Sequence, residues 1–464
     1  MTFSSILFLY FFLPVFMGIY GICKPEQRAK ILMLGSCFFT AWKDPLGLIN
    51  LFAAVLLAYI GGILIYNFRT DVKKSRILLG LCCAVNAAML ITFSYSGFSR
   101  TGLFGLLSEA DGRFRLYAAF GVTVYTLHSI SYCTDIYRGL IKPEIKFSCV
   151  FSYVGFMPSL ICGPLVRFGD ISDGLRSPQI NSQKLSDGIL LFMFGLSEKV
   201  IISNQLGALW KDIALVGTDS MSLVTAWLAL FVFGFWFYFE FLSFSHMARG
   251  FALMLGFEVN PNFRHPFAKK TVRDFCSSFN ISLNRWAEDY IYLSFGKSKI
   301  SSVAAAAKML LCALAVGLWY GTGINFVLWT VFIALLILAE NSLKSVLSRI
   351  PSVIRFIMTQ LTVLFSWSVL AGRDLHETFG YIRAMFRWEI SSGDNGLWYW
   401  LRSSFLLFGI CILLASPLLK TLYSKLNDLK FSVISFSKPM IILALLILCT
   451  AFMVSGNSRA AFAF

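Results

Sequence analysis

Residues 222–250 read SLVTAWLALFVFGFWFYFEFLSFSHMARG. Positions 222–244 are apolar but for a few small polar residues and one charge, Glu240. That run is longer than the roughly 20 residues a helix needs to cross a bilayer. His246 and Arg249 follow it at once. Ionisable groups in or beside such a span are costly and turn towards a protein interior or water. The stretch therefore predicts a membrane-spanning helix that carries polar business on one side.

Similar runs recur outward from it. One begins near Ile6, and others cover 46–66, 77–95, 303–319, 353–370, 401–422 and 439–454. The 464 residues are 57% hydrophobic and only 14% charged, against about 25% charged in soluble domains. With the shorter, more polar stretches between them, roughly 11 to 13 passages are expected. The fold class that follows is an all-α polytopic membrane protein. The first apolar segment has no charged leader and no small-residue cleavage site, so it reads as a span and not as a signal peptide.

The formal charge of +16 is explained by topology. Lys24, Arg28 and Lys30 form one basic loop, and Arg69, Lys73, Lys74 and Arg76 another, with two spans between them. The positive-inside rule puts both in the cytoplasm and the N-terminus outside, in a multi-pass protein of the plasma (inner) membrane. No basic run interleaved with aromatics is present to grip single strands, so nucleic acid is not an expected partner. The 11 cysteines, among them Cys82, Cys83, Cys133, Cys162, Cys312 and Cys411, sit mostly in apolar segments without ligand spacing. Neither a disulfide framework nor a metal site is expected.

Residues 1–464 read as one membrane domain, with no repeat or low-complexity tract. The polar stretch 167–187 reads as a surface loop. The stretch 260–296 mixes Arg264, His265, Lys269, Lys270, Arg273, Asp274, Arg285, Glu288 and Asp289 with Phe, Trp, Ile and Leu. It is too polar to face lipid. It is expected either as interfacial helices or as a re-entrant element around Trp286, Asp289 and Tyr290. Asp135, Arg138, Arg167, Glu198, Lys199, Glu240, His246 and Arg249 lie in or beside spans. Pairing between helices accounts for some of these charges, and a substrate path for the rest.

Ordered strings along the chain carry a resemblance. They include LYFFLP (9–14), FFTAWKDP (38–45), YTLHSISY (125–132), DIYRG (135–139) and PSLICGPLVR (158–167). YFEF (238–241), MARG (247–250), ISL (281–283) and GLWYG (317–321) continue the series. In this order and at these spacings the chain resembles the membrane-bound O-acyltransferase (MBOAT) family, in the branch of alginate O-acetylases and D-alanyl–lipoteichoic acid transferases. The resemblance implies a ring of tilted helices around a central tunnel, where acyl donor and acceptor meet. It also implies transfer of an acetyl-like group to an extracytoplasmic glycan or cell-envelope polymer. No bound cofactor is implied. An acyl carrier or acyl-CoA would be the co-substrate, and an extracytoplasmic glycan-modifying protein a partner beside the lipid bilayer. The residues that the resemblance puts on the tunnel are His128, Arg167, Glu240, Arg249, Asn280, Trp286, Asp289 and Trp319.

The chain departs from the family where the chemistry sits. The family's signature histidine belongs in Trp-His-Gly, and this chain has Trp319-Tyr320-Gly321. A neutral imidazole can take the acceptor hydroxyl's proton, whereas a phenol with an ordinary pKa near 10 is a poor base at neutral pH. Ile333 and Ala334 stand where a second His-Gly pair would follow, and Leu361 where a further histidine would be. A Trp-His-Ile-Ser string appears as Phe279-Asn280-Ile281-Ser282, and His246 takes the place of an aspartate. Only His128, His246, His265 and His376 are present.

Two readings stay open: a silent member that binds lipid, acyl carrier or glycan and acts through partners, or an acyltransferase with a relocated catalytic group. His246, which shares a helix face with Ser243 and Arg249, heads the substitutes, followed by Tyr320 and His128. A packed imidazole is the alternative for either histidine, and a structural stand-in for Tyr320. A lipid-linked sugar transporter is a more distant reading, without the internal symmetry such proteins show.

Overall fold

In the computed structural model, residues 2–95, 120–295, 301–321, 323–388, 396–418 and 433–455 are described. The described chain is helical throughout, with no strand. Among the described residues, six helices are long and apolar enough to cross a membrane: Gly47–Asn67, Val72–Thr92, Leu223–Met254, Ser302–Tyr320, Ile324–Ser342 and Ser352–Ala371. A bent pair, Leu397–Ser403 with Phe405–Ala415, turns by 60° and makes a seventh if it crosses as one unit. Phe8–Ile22 and Lys438–Val454 are apolar but shorter.

The larger expected number of passages counted stretches that the fold builds as short or broken helices. Phe147–Val154 and Asn204–Ala214 are examples. Each packs a buried face on protein, where backbone interruptions can be satisfied at membrane depth. The ends of the expected runs 77–95 and 401–422 reach side chains or backbone outside the described residues, as does Gly296. The spanning helices show large apolar side chains outward, such as Ile49, Ile77 and Ile91, each at least 60% exposed. With lipid as the solvent, that exposure carries no hydrophobic penalty.

Local sequence explains several helix ends. Pro25 and Pro45 occupy first-turn positions, where a missing N–H costs nothing. Asp374 accepts from the Glu377 N–H at 2.8 Å, and the Glu377 carboxylate accepts from the Arg373 N–H at 2.8 Å. This is a reciprocal cap on Leu375–Met385.

The chain divides into two compact units, 1–196 with 244–260, and 197–243 with 261–463. Helix Leu223–Met254 supplies residues to both. The first unit carries an aromatic cluster of Phe3, Phe8, Phe39, Phe192 and Phe251. A Cβ added at Gly188 would sit 2.7 Å from the Gly250 carbonyl. Helix Ser182–Ser197 therefore lies backbone to backbone against the end of Leu223–Met254, the close approach that small residues allow in membranes. Arg28, nearly buried, donates to the Pro178 carbonyl at 2.6 Å and to the Tyr20 carbonyl at 3.2 Å.

In the second unit, residues 261–295 form an ordered series of short helices, Val272–Ser278, Ile281–Ala287 and Glu288–Tyr292. Thr271 caps the first, accepting from the Asp274 N–H at 3.0 Å. Glu340, near the end of Ile324–Ser342, accepts from the Val272 and Arg273 N–H groups at 2.8 and 3.1 Å. A carboxylate on the free N–H groups of a helix start is favourable. The polar segment is thus tied to a spanning helix.

Candidate functional site

The Tyr320 neighbourhood belongs to the second unit and is built from three places in the sequence. Tyr320 is the last residue of Ser302–Tyr320 and is 5% exposed. Asn280 stands at the start of Ile281–Ala287 with φ +50°. Asparagine tolerates this left-handed conformation better than most side chains. From that position its Nδ2 donates to the Tyr320 hydroxyl at 3.2 Å, while its Oδ1 accepts from Asn262 Nδ2 at 3.0 Å. Asn262 is held in turn, accepting from the Ser282 N–H at 2.8 Å and, through its carbonyl, from the Ile281 N–H at 2.9 Å. A left-handed asparagine bridging two buried polar groups is the sort of local strain that clusters at functional sites.

Rings enclose this chain of amides. Phe237, Phe241, Trp319 and Trp329 have centroids 5.3–5.8 Å from that of Tyr320. Trp329 stacks on Trp367 at 5.2 Å and donates its Nε1–H to Ser366 at 3.3 Å. The Trp319 Nε1 is buried and has no hydrogen-bond partner among the described residues. A buried donor left unmet in this way marks a place where a ligand oxygen can be held.

Glu240 belongs to a separate buried group in the same unit. Lys199 Nζ lies 2.7 Å from both Glu240 oxygens, and Ser203 also donates to this carboxylate. Lys199 and Glu240 are 1% and 4% exposed. The pair links the turn Glu198–Ser203 to helix Leu223–Met254. Of the charges expected in or beside spans, these two pair with one another.

Trp286 is buried, 5.4 Å from the Tyr290 ring, and Asp289 is half-buried on the next turn. Ile333 and Ala334 are buried, whereas Leu361 is half exposed on its span. His128, Arg167, His246 and Arg249 belong to the first unit. His246 and Arg249 are half-buried, and the Arg249 Nε–H donates to the Val259 carbonyl at 3.0 Å. The Ser243 hydroxyl donates to the Glu240 carbonyl one turn back, at 2.8 Å. Arg167 opens helix Phe168–Arg176 and is half-buried.

His128 is fully buried with both ring nitrogens engaged. Nδ1 lies 3.2 Å from the Val154 carbonyl, and Nε2 accepts from the Val166 N–H at 3.3 Å. Only a neutral ring with its proton on Nδ1 satisfies both. Replacing His128 by Phe leaves a buried carbonyl and a buried N–H unmet, a cost of about 1–3 kcal/mol each. The His128→Phe protein is therefore expected to melt clearly below the native one in a detergent thermal-shift measurement.

Sequence reasoning gave no site role to Asn262, Ser203, Ser366 or Trp367. The first three are common polar residues whose partners lie 18, 37 and 37 positions away. Trp367 lies inside an ordinary apolar run, and no signal sets it apart.

The family model for MBOAT, the membrane-bound O-acyltransferase family, matches residues 119–373, more than half of the chain. The chain belongs to this family. It is 29% identical over 410 residues to a probable alginate O-acetylase AlgI of Pseudomonas aeruginosa, covering 84% of this chain and 76% of that protein. It is 23% identical over 421 residues to a peptidoglycan O-acetyltransferase of Helicobacter pylori, covering 83% and 80%. To a teichoic acid D-alanyltransferase of Bacillus subtilis it is 20% identical over 365 residues, covering 74% and 86%.

Proposed function

We propose that this chain acts as a membrane acyltransferase on a cell-envelope polymer, with the enclosure around Tyr320, Asn280 and Trp319 as the place where the acyl group is held. Its relatives are named for acyl transfer to alginate, peptidoglycan and teichoic acid. The observation that carries the reading is the buried, ring-walled group of polar atoms at the position of the family's histidine. In the reaction the acceptor hydroxyl oxygen bonds to the acyl carbonyl carbon, the bond from that carbon to the donor breaks, and the hydroxyl proton leaves. The orphan Trp319 Nε1–H is suited to holding the carbonyl oxygen as negative charge builds on it. Asn280 fixes the Tyr320 ring. A phenol is a poor proton acceptor at neutral pH, so this reading needs a relocated base, for which His246 is the candidate the sequence offers. The donor would be an acyl-CoA or an acyl carrier, with an extracytoplasmic glycan-modifying protein as partner.

The replacement of histidine by Tyr320 favours a second reading, in which the chain binds donor or polymer and acts through partners without transferring the group itself. Acylation of the surface polymer by the native protein, with His246→Ala and Tyr320→Phe beside it, separates the two. Loss of activity in His246→Ala alone supports the relocated base. Absence of native activity supports the silent reading. Activity lost only in Tyr320→Phe would make the phenol the working group.

Both readings share one topology, with residues 1–464 as a single membrane domain and the N-terminus outside. A cysteine introduced at Lys74, which is exposed at the start of a spanning helix, should resist membrane-impermeant thiol reagents in intact cells and react after permeabilisation. Ready labelling from outside would reverse the orientation.

A further inference from the structure

The second unit holds an open apolar groove of about 430 Å3. Phe235 and Phe267, stacked at 4.8 Å, form one wall, and Phe356, Val363, Trp367 and Ile412 form others. The groove is bordered by two spanning helices, Leu223–Met254 and Ser352–Ala371, and by the second half of the bent pair. It therefore opens at bilayer depth, where hydrocarbon is the available filler.

One end is basic. Gln360 lines the groove and donates to the Lys269 carbonyl at 3.0 Å. Lys269 and Lys270 follow directly on the lining residues Phe267 and Ala268, and Arg355 directly precedes Phe356. The Arg355 Nε is buried and lacks a hydrogen-bond partner among the described residues. Glu340, the acid tied to this segment, is already occupied by the Val272 and Arg273 N–H groups. At the other end stands Trp367, eleven positions and about 16 Å along the helix from Phe356. It stacks on Trp329, the neighbour of Tyr320.

We infer that this groove binds an anionic phospholipid, its acyl chain in the apolar slot and its phosphate at Lys269, Lys270 and Arg355. An apolar slot alone would take the tail of any lipid. Three cations that directly adjoin lining residues in the chain, one with a buried unmet N–H, favour a negative headgroup. The tail reaches Trp367 and so steadies the stack of rings behind Tyr320.

The test uses the full-length protein in native mass spectrometry, titrated with phosphatidylglycerol or phosphatidylcholine of identical chains. Phosphatidylglycerol should bind about tenfold more tightly. In the triple variant Lys269→Gln, Lys270→Gln, Arg355→Gln the preference should shrink to about threefold or less. Ala268→Phe, which fills the slot, should weaken both lipids. Equal binding by the native protein, a preference that survives in the triple variant, or undiminished lipid binding in a folded Ala268→Phe protein would each overturn the assignment. A phosphatidylglycerol with a photoreactive tail keeps the test independent of variants. It should crosslink to residues 356–367, and labelling confined to other segments would overturn the site as well.

Discussion

On the second reading, in which the native chain lacks a proton acceptor, replacing Tyr320 by histidine is expected to raise acyl transfer to the surface polymer by about 10²- to 10⁴-fold, the usual contribution of a positioned general base; with His246 already serving as base the gain should be far smaller. The side chain is buried inside a ring of aromatics, and the Asn280 amide already donates to the atom at its tip. An imidazole nitrogen can accept the same N–H, which would orient the ring and leave the other nitrogen to face the acceptor hydroxyl. The measurement is polymer-bound acyl ester in cells carrying native, Tyr320→His and Tyr320→Phe proteins at matched membrane abundance. A gain in Tyr320→His alone means that the enclosure is intact and only the base was missing. If none of the three transfers the group, the enclosure is not an acyl-transfer site, and the proposal falls.

The second large effect concerns stability. Lys199→Met leaves the Glu240 carboxylate buried with only Ser203 to answer it. Removing one member of a buried ion pair costs about 3–5 kcal/mol. The apparent melting temperature of the detergent-solubilised protein should fall by about 5–10 °C. The double variant Lys199→Met, Glu240→Met removes both charges and should recover most of that loss, because a buried pair is worth little more than apolar groups of similar size. A single variant as stable as the native protein would show that water or another cation reaches Glu240.

The helical membrane class was legible because it rests on run length. Residues 222–244 or 353–370 admit no other physical solution, and the corresponding helices are Leu223–Met254 and Ser352–Ala371. The ordered strings carried the family. Pairings were harder to read. Lys199 and Glu240 both stood out as charges among apolar residues, but nothing in a string of letters says that one answers the other across 41 positions. Asn280 was visible only as a missing histidine. Its left-handed backbone, which turns the amide onto Tyr320 forty positions later, depends on the packing of residues 261–295. The short and broken helices were read as passages because apolar content looks the same whether the neighbour is lipid or protein.

The way the two units share one helix has a consequence for how the protein is made. Phe3 and Phe8 pack on Phe251, and the Tyr20 hydroxyl donates to the Leu255 carbonyl at 3.1 Å. During synthesis Phe3, Phe8 and Tyr20 therefore wait for partners some 235–250 positions later. At about 5–20 residues per second that delay is about 10–50 s. Within that interval the chain also adds residues 197–243, which belong to the second unit. A chain stopped or split near Gly217 would thus leave behind two incomplete pieces instead of one finished and one unfinished unit. During synthesis the amino-terminal aromatic residues must be sheltered by lipid, or by whatever attends the insertion machinery.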